Sequence, residues 1–146
     1  MPGLLPLRRN MTQELIDYLI NRINVCPYNL SNGISATHLE EGHSVIEVDV
    51  RPEHKNIWGI PHGGLLFALA DVAAGLAAHS VHEGAHIVTA SSSVNFLFAS
   101  PDAVHLRAEG RVIKAGHTLA VMQSDVYDDA GNHLLTGQFT MHIAKE

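Results

Sequence analysis

The chain changes its hydrophobic period twice before its midpoint. Residues 11–24 place apolar side chains at helical spacing, with Thr12 as a candidate N-cap, which predicts an amphipathic N-terminal helix. Residues 44–50 alternate apolar and polar positions instead. That pattern predicts a half-exposed antiparallel strand, preceded by a turn at Glu41-Gly42.

The next segment, from residue 63 to about residue 80, is apolar on every side, and Asp71 is its only charge. A helix without a polar face belongs in a protein core. Its uninterrupted apolar run, residues 63–78, is shorter than the roughly 20 residues needed to span a bilayer. We therefore expect a buried central helix and no membrane partner.

The rest of the chain is strand-like, with Val, Leu, Thr and Phe runs broken by Pro, Gly and Asp. The predicted strands cover residues 87–98, 103–113, 118–127 and 133–143, with a hairpin loop at 128–132. This order predicts one α+β domain over residues 1–146. In it, a strand pair and a later antiparallel meander form a curved sheet around the central helix.

Composition excludes several classes of function. A length of 146 residues with 46% hydrophobic side chains fits one folded domain. A net charge of −6 and an aromatic content of 5% argue against a nucleic-acid partner. The single Cys26 cannot form an internal disulfide. In residues 1–10 the positive charges follow the apolar stretch, unlike a secretory signal, so a cytoplasmic location is expected.

Asp71 is the first candidate catalytic residue. A carboxylate within an apolar helix is costly to bury unless it is paired or performs chemistry. The structural interpretation is a core Asp that is hydrogen-bonded to the next strand. The functional interpretation is a general base or a nucleophile.

A second candidate lies at the start of the same helix, in His62-Gly63-Gly64. The unpaired N–H groups at a helix N-terminus, together with the helix dipole, suit an oxyanion or a polarised carbonyl. Asn56 and His62 add side chains able to orient a carbonyl or a water. The alternative interpretation is an ordinary helix start, which needs no function.

The spacing of these candidates constrains the assembly. Gly63 and Asp71 are eight residues apart, about 12 Å along one helix. A base and an oxyanion donor must both lie within about 3 Å of the reacting atoms. If both serve one substrate, Asp71 must come from a neighbouring chain, and a homodimer with two composite sites is required.

These residues, in this order, resemble the phenylacetate-pathway (PaaI-like) family of hotdog thioesterases, from about residue 40 to the C-terminus. The matching positions are Asn56, His62, Gly63, Gly64, Asp71, the strand Val94-Asn95-Phe96-Leu97 and Ser100-Pro101. The resemblance implies a hotdog fold and hydrolysis of an acyl-CoA or aryl-CoA. It also implies a tetramer built from dimers, without a metal or organic cofactor.

The resemblance further implies a role for each matching residue. Asp71 would be the base or nucleophile, and the N–H of Gly63, or of Gly64 beside it, would polarise the thioester carbonyl. Asn56 and His62 would position the substrate or water from the opposite subunit. The residues expected to bind substrate are Ser91, with Ser93 on the same strand face, and the hairpin residues Lys114, Gly116 and His117.

Other functions remain open. His79, His82 and His86 flank the helix end without the partners of an open metal site, so no metal is expected there. A hotdog dehydratase for 3-hydroxyacyl thioesters also pairs a loop His with a helix acid. A non-catalytic acyl-CoA binding protein would share the fold. An acyl-carrier protein could present the same thioester in place of CoA.

Overall fold

An antiparallel sheet, in the order β1-β2-β4-β5-β6-β3, forms the frame of the protein in a computed structural model that describes residues 11–144. The prediction concerning a secretory signal falls on residues 1–10 and lies outside that range. The elements are α1 (Gln13–Asn24), α2 (Pro27–Asn32), β1 (Ser35–Glu40), β2 (His43–Asp49), a 3₁₀ helix (Pro52–His54), α3 (Gly63–Val81), β3 (His86–Phe96), β4 (His105–Ala115), β5 (Leu119–Asp128) and β6 (His133–Ala144).

The central helix α3 is the core around which the sheet curves. Its sheet-facing side is buried, and two buried hydroxyls on the sheet bind its backbone: Ser44 Oγ donates to Ala73 O at 2.6 Å and Ser124 Oγ to Ala70 O at 2.8 Å. Gly110 on β4 faces Ala73 at the same contact. The predicted hotdog arrangement, a curved antiparallel sheet around one apolar helix, is therefore confirmed.

At 19 residues and a mean hydropathy of 1.6, α3 is long and apolar enough to cross a membrane by length and composition alone. The helix is longer than the apolar run at residues 63–78, because it continues past Ala78 to Val81. The chain nevertheless buries 56% of its most apolar window, as the core helix of a globular domain does.

The additional N-terminal helix is also confirmed, as α1. The Thr12 side chain accepts a hydrogen bond from Leu15 N–H at 3.2 Å, which is the predicted N-cap. Asn24 Oδ1, at the end of the helix, accepts from Ala36 N–H of β1 at 2.7 Å. This contact fixes α1 against the β1 edge of the sheet.

The predicted meander is wrong in one respect. β4, β5 and β6 are sequential neighbours, but β3 pairs with β6 at the far edge of the sheet and not with β4. β4 pairs with β2 along its length, from His43↔Arg111 to Asp49↔His105, and so occupies the position beside it. The short elements α2 and the 3₁₀ helix were not predicted, since they contain too few residues to show a period.

Candidate active site

Asp71 lies halfway along α3, where the helix passes the edge strand β3. Its carboxylate is half-exposed, and Thr89 Oγ1 of β3 donates a hydrogen bond to Asp71 Oδ1 at 2.5 Å. The structural interpretation from the sequence was a core Asp hydrogen-bonded to the next strand; the hydrogen bond is present, but the side chain points towards the open edge of the sheet and not into the core. Among residues 11–144 the carboxylate thus has one hydrogen-bonding partner, and it remains accessible to a ligand.

The start of α3 distinguishes between the two candidate oxyanion donors. His62 is the N-cap, and its Nδ1 accepts a hydrogen bond from Gly64 N–H at 2.8 Å. Because Nδ1 accepts, a neutral His62 ring carries its proton on Nε2. Among residues 11–144, no group accepts a hydrogen bond from Gly63 N–H. Gly63 therefore offers the donor that a substrate oxygen could use, whereas Gly64 does not.

Asn56 shapes the loop that leads into α3. Its Oδ1 accepts hydrogen bonds from Trp58 N–H at 2.9 Å and Ile60 N–H at 3.3 Å, and its own N–H donates to Ile60 O at 2.9 Å. Within the described part of the chain its side-chain NH₂ group donates no hydrogen bond, so this group remains available to a ligand. Ile57 and Trp58, at the loop tip, are 90% and 79% exposed.

The two ends of the candidate site are too far apart to act together within one chain. Gly63 and Asp71 lie on the same continuous helix, about 12 Å apart along its axis. The ring of Phe96 lies beside Gly63, since a Cβ built on Gly63 would lie 3.2 Å from Phe96 Cε1. Thr89, which donates a hydrogen bond to Asp71, lies at the other end of the candidate site.

Thr89 was missed in the sequence, where Ser91 and Ser93 were the predicted hydroxyls of β3. The strand register shifts between Thr89 and Ser91. Thr89 pairs with buried Met141, whereas the two serines pair with Thr140 and Gln138 on the sheet face away from α3. Neither serine side chain forms a hydrogen bond within residues 11–144. Their substrate-binding role stays a prediction.

The predicted CoA-binding residues Lys114, Gly116 and His117 lie on the β4–β5 hairpin, where Lys114 and His117 are exposed. A Cβ at Gly116 would lie 2.2 Å from Leu119 O, so the tight turn requires glycine. This hairpin is at the end of the sheet where α3 finishes, opposite the Gly63 end. Within one chain, the β4–β5 hairpin is therefore separated from the start of α3.

A groove of about 540 Å³ lies elsewhere, between α1 and the connection from α3 to β3. Arg22, His79 and His86 line it, and neither Asp71 nor Gly63 does. Burial lowers the pKa of His79, and the neighbouring charges of Arg22 and His86 lower it further. This groove is therefore separate from the candidate active site.

Comparison with known proteins gives the same family for sequence and structure. Residues 59–134 match the model of the thioesterase superfamily, and this stretch contains Gly63, Asp71 and Thr89. Human acyl-coenzyme A thioesterase 13 is 28% identical over 103 residues, which are 70% of this chain and 74% of that protein.

Two solved structures extend the comparison. The PaaI protein of the Escherichia coli phenylacetic acid degradation operon has the same fold, with a TM-score of 0.81 at 22% identity, over 89% of this chain and 93% of that one. A hypothetical thioesterase of Streptococcus pneumoniae, solved with coenzyme A, is 32% identical, with a TM-score of 0.70, over 77% and 87% of the two chains.

Proposed function

Because the chain belongs to the thioesterase superfamily, we propose that it hydrolyses an acyl-CoA or aryl-CoA thioester to the free acid and CoA. The observation that carries this proposal is on α3, which presents both an accessible carboxylate at Asp71 and a backbone N–H at Gly63 that has no acceptor in the described part of the chain. A non-catalytic acyl-CoA binding protein has no use for the carboxylate. The coenzyme A held by the pneumococcal relative supports CoA as the carrier.

The proposed chemistry needs only these groups and water. Asp71 accepts a proton from a water whose oxygen attacks the thioester carbonyl carbon, and Gly63 N–H stabilises the resulting oxyanion. The C–S bond then breaks, and the CoA thiolate leaves and is protonated. In the alternative route, Asp71 itself attacks and forms a mixed anhydride, which water hydrolyses. Thr89 Oγ1 orients the carboxylate in either route.

The site becomes complete only in a homodimer, which we include in the proposal. β3 is an eleven-residue edge strand, and most of its side chains are exposed in one chain. A long open edge exposes unpaired backbone groups, which natural proteins cover. Two-fold pairing of copies near this edge would bring Asp71 of one chain towards Gly63 and Asn56 of the other. A tetramer of two such dimers follows from the family resemblance.

The test is the release of CoA thiol from a panel of acyl-CoAs, carried out in a Cys26→Ser background so that no protein thiol contributes. Asp71→Asn should lower kcat by about 10²–10⁴-fold, since it removes the general base or nucleophile. Asp17→Asn, on the exposed face of α1, is the matched control and should keep full activity.

The same panel discriminates the rival functions. Tight binding of acyl-CoA without thiol release by the unmodified chain would favour the binding protein. Formation of an enoyl absorbance from a 3-hydroxyacyl-CoA would favour the dehydratase. Acyl-carrier-protein thioesters, offered in parallel, would identify the carrier. Equal activity of Asp71→Asn and the unmodified chain would remove Asp71 from the mechanism.

A further inference from the structure

Three potential metal ligands meet at the hairpin between β1 and β2, away from the candidate active site. Glu40 Oε1 lies 3.8 Å from His38 Nε2 and 3.2 Å from His43 Nδ1, and one ligand atom from each residue lies within 4.8 Å of the others. We propose that this His38-Glu40-His43 cluster binds a divalent cation of the Zn²⁺ class.

The hairpin register places the three side chains together. His38 and Glu40 are two residues apart on β1, so they share one face of the strand. Glu40 is paired directly with His43 of β2, which puts the second imidazole on that face. The neighbouring pair of the hairpin, Leu39 and Ser44, points into the core and is buried.

The donor set fits zinc better than it fits a hard cation. Zn²⁺ takes imidazole nitrogen and carboxylate oxygen at about 2.0–2.2 Å, so neighbouring donors of a tetrahedral site lie about 3.3 Å apart. The separations of Glu40 from the two imidazoles, 3.2 and 3.8 Å, are near that value, and the two imidazoles, whose ligand atoms lie within 4.8 Å of each other, would have to move closer on binding. Three protein ligands leave a fourth position for water. Mg²⁺ and Ca²⁺ prefer oxygen ligands alone and should not compete.

The backbone beneath the cluster is fixed at the turn. Gly42 N–H donates to Ser80 Oγ of α3 at 2.8 Å, and Gly42 O accepts from Val112 N–H of β4 at 2.9 Å. A rigid support lowers the entropy lost when the ligands converge on a metal. Arg111, opposite His43, forms an ion pair with Asp125 at 3.7 Å. Its charge is thereby partly balanced on the side away from Glu40.

This site is independent of the proposed thioesterase activity. β1 is at one edge of the sheet and β3, which contacts Asp71, is at the other. Hydrolysis of a thioester through Asp71 and Gly63 does not require a metal at the hairpin. The success or failure of one proposal therefore leaves the other unchanged.

Titration of the full-length, untagged protein with ZnCl₂, followed by calorimetry and by the melting temperature, tests the proposal. One zinc per chain should bind and raise Tm, because a ligand that binds only the folded state stabilises it. His38→Ala and His43→Ala should each weaken binding by more than about tenfold, since even loss of an outer-shell partner costs 10–100-fold. Glu40→Gln should also weaken it, through loss of the charge.

His142→Ala is the matched control, because His142 is an exposed histidine on β6 outside the cluster. It should bind zinc as the unmodified protein does, and MgCl₂ should produce no Tm shift in any variant. X-ray absorption at the zinc edge should show two imidazoles in the ligand set. Undetectable binding, millimolar affinity typical of an adventitious ion only, or equal affinity in His38→Ala, His43→Ala and the control would each overturn the proposal.

Discussion

At the scale of single residues, the hydrogen bond between Thr89 and Asp71 sets the direction of the carboxylate. Thr89→Val removes the hydroxyl at nearly constant volume and should lower kcat/KM for acyl-CoA about tenfold or more. The physical reason is that a hydrogen bond to a charged group contributes about 1.5–3 kcal/mol. Steady-state thiol release measures this loss.

Thr89→Ser is the conservative partner of that variant, because it keeps the hydroxyl and should keep most of the activity. Circular dichroism of both variants should match the unmodified chain, since Thr89 is exposed. If valine and serine gave the same kcat/KM, Thr89 would be a surface residue without a positioning role.

At the scale of secondary-structure elements, the close approach of α3 to β4 depends on Gly110. A Cβ there would lie 2.3 Å from Ala73 O, a backbone atom that cannot rotate away. Gly110→Ala should therefore lower the free energy of unfolding by about 1–3 kcal/mol, the usual cost of overpacking. Urea unfolding followed by circular dichroism measures the difference.

Gly75 of α3 is the control position for Gly110, since a Cβ at Gly75 meets no atom within 4 Å. Gly75→Ala should raise the free energy of unfolding by about 1 kcal/mol through its better helix propensity. Equal destabilisation by both alanines would show that the spacing of α3 and β4 does not depend on Gly110.

The longer elements of this fold could be predicted because each one shows a clear pattern of apolar and polar residues. The run without charges around Asp71 predicted α3, and the alternation at residues 44–50 predicted β2. Strand order could not be predicted, because the residues of β3 do not tell whether the strand pairs with β4 or with β6. The shift in β3 register after Thr89 could not be predicted either, since it depends on pairing with β6.

The candidate site could likewise be predicted only in part from the sequence. Asp71 stood out because its charge contrasts with the helix around it, and His62-Gly63-Gly64 because two glycines open that helix. The difference between Gly63 and Gly64 arises only in the folded chain, where the His62 side chain accepts a hydrogen bond from Gly64 N–H and not from Gly63 N–H. The His38-Glu40-His43 cluster was overlooked because hairpin register, and not a helical metal motif, brings its ligands together.

At the scale of the whole molecule, the proposed site belongs to two chains, and Gly63→Pro allows this to be tested. Proline removes the Gly63 N–H and suits the first position of a helix. His62 already has the extended backbone that precedes proline, with φ −65° and ψ 137°. A Cβ at Gly63 would lie 3.2 Å from the end of the Phe96 side chain, so the ring has to shift by only a few tenths of an ångström to accept it. Loss of an oxyanion donor should cost about 10²–10³-fold in kcat.

A mixed dimer, with Gly63→Pro in one chain and Asp71→Asn in the other, then distinguishes a site shared between two chains from a site within one chain. With different affinity tags the mixed dimer can be isolated after co-expression. One of its composite sites contains both intact groups and the other contains neither, so it should recover about half of the activity of the unmodified dimer. If Asp71 and Gly63 acted within one chain, every site would lack one group and the mixed dimer would be as inactive as its parents. Recovery thus requires that the 12 Å between the two groups along α3 is bridged by a second copy of the chain.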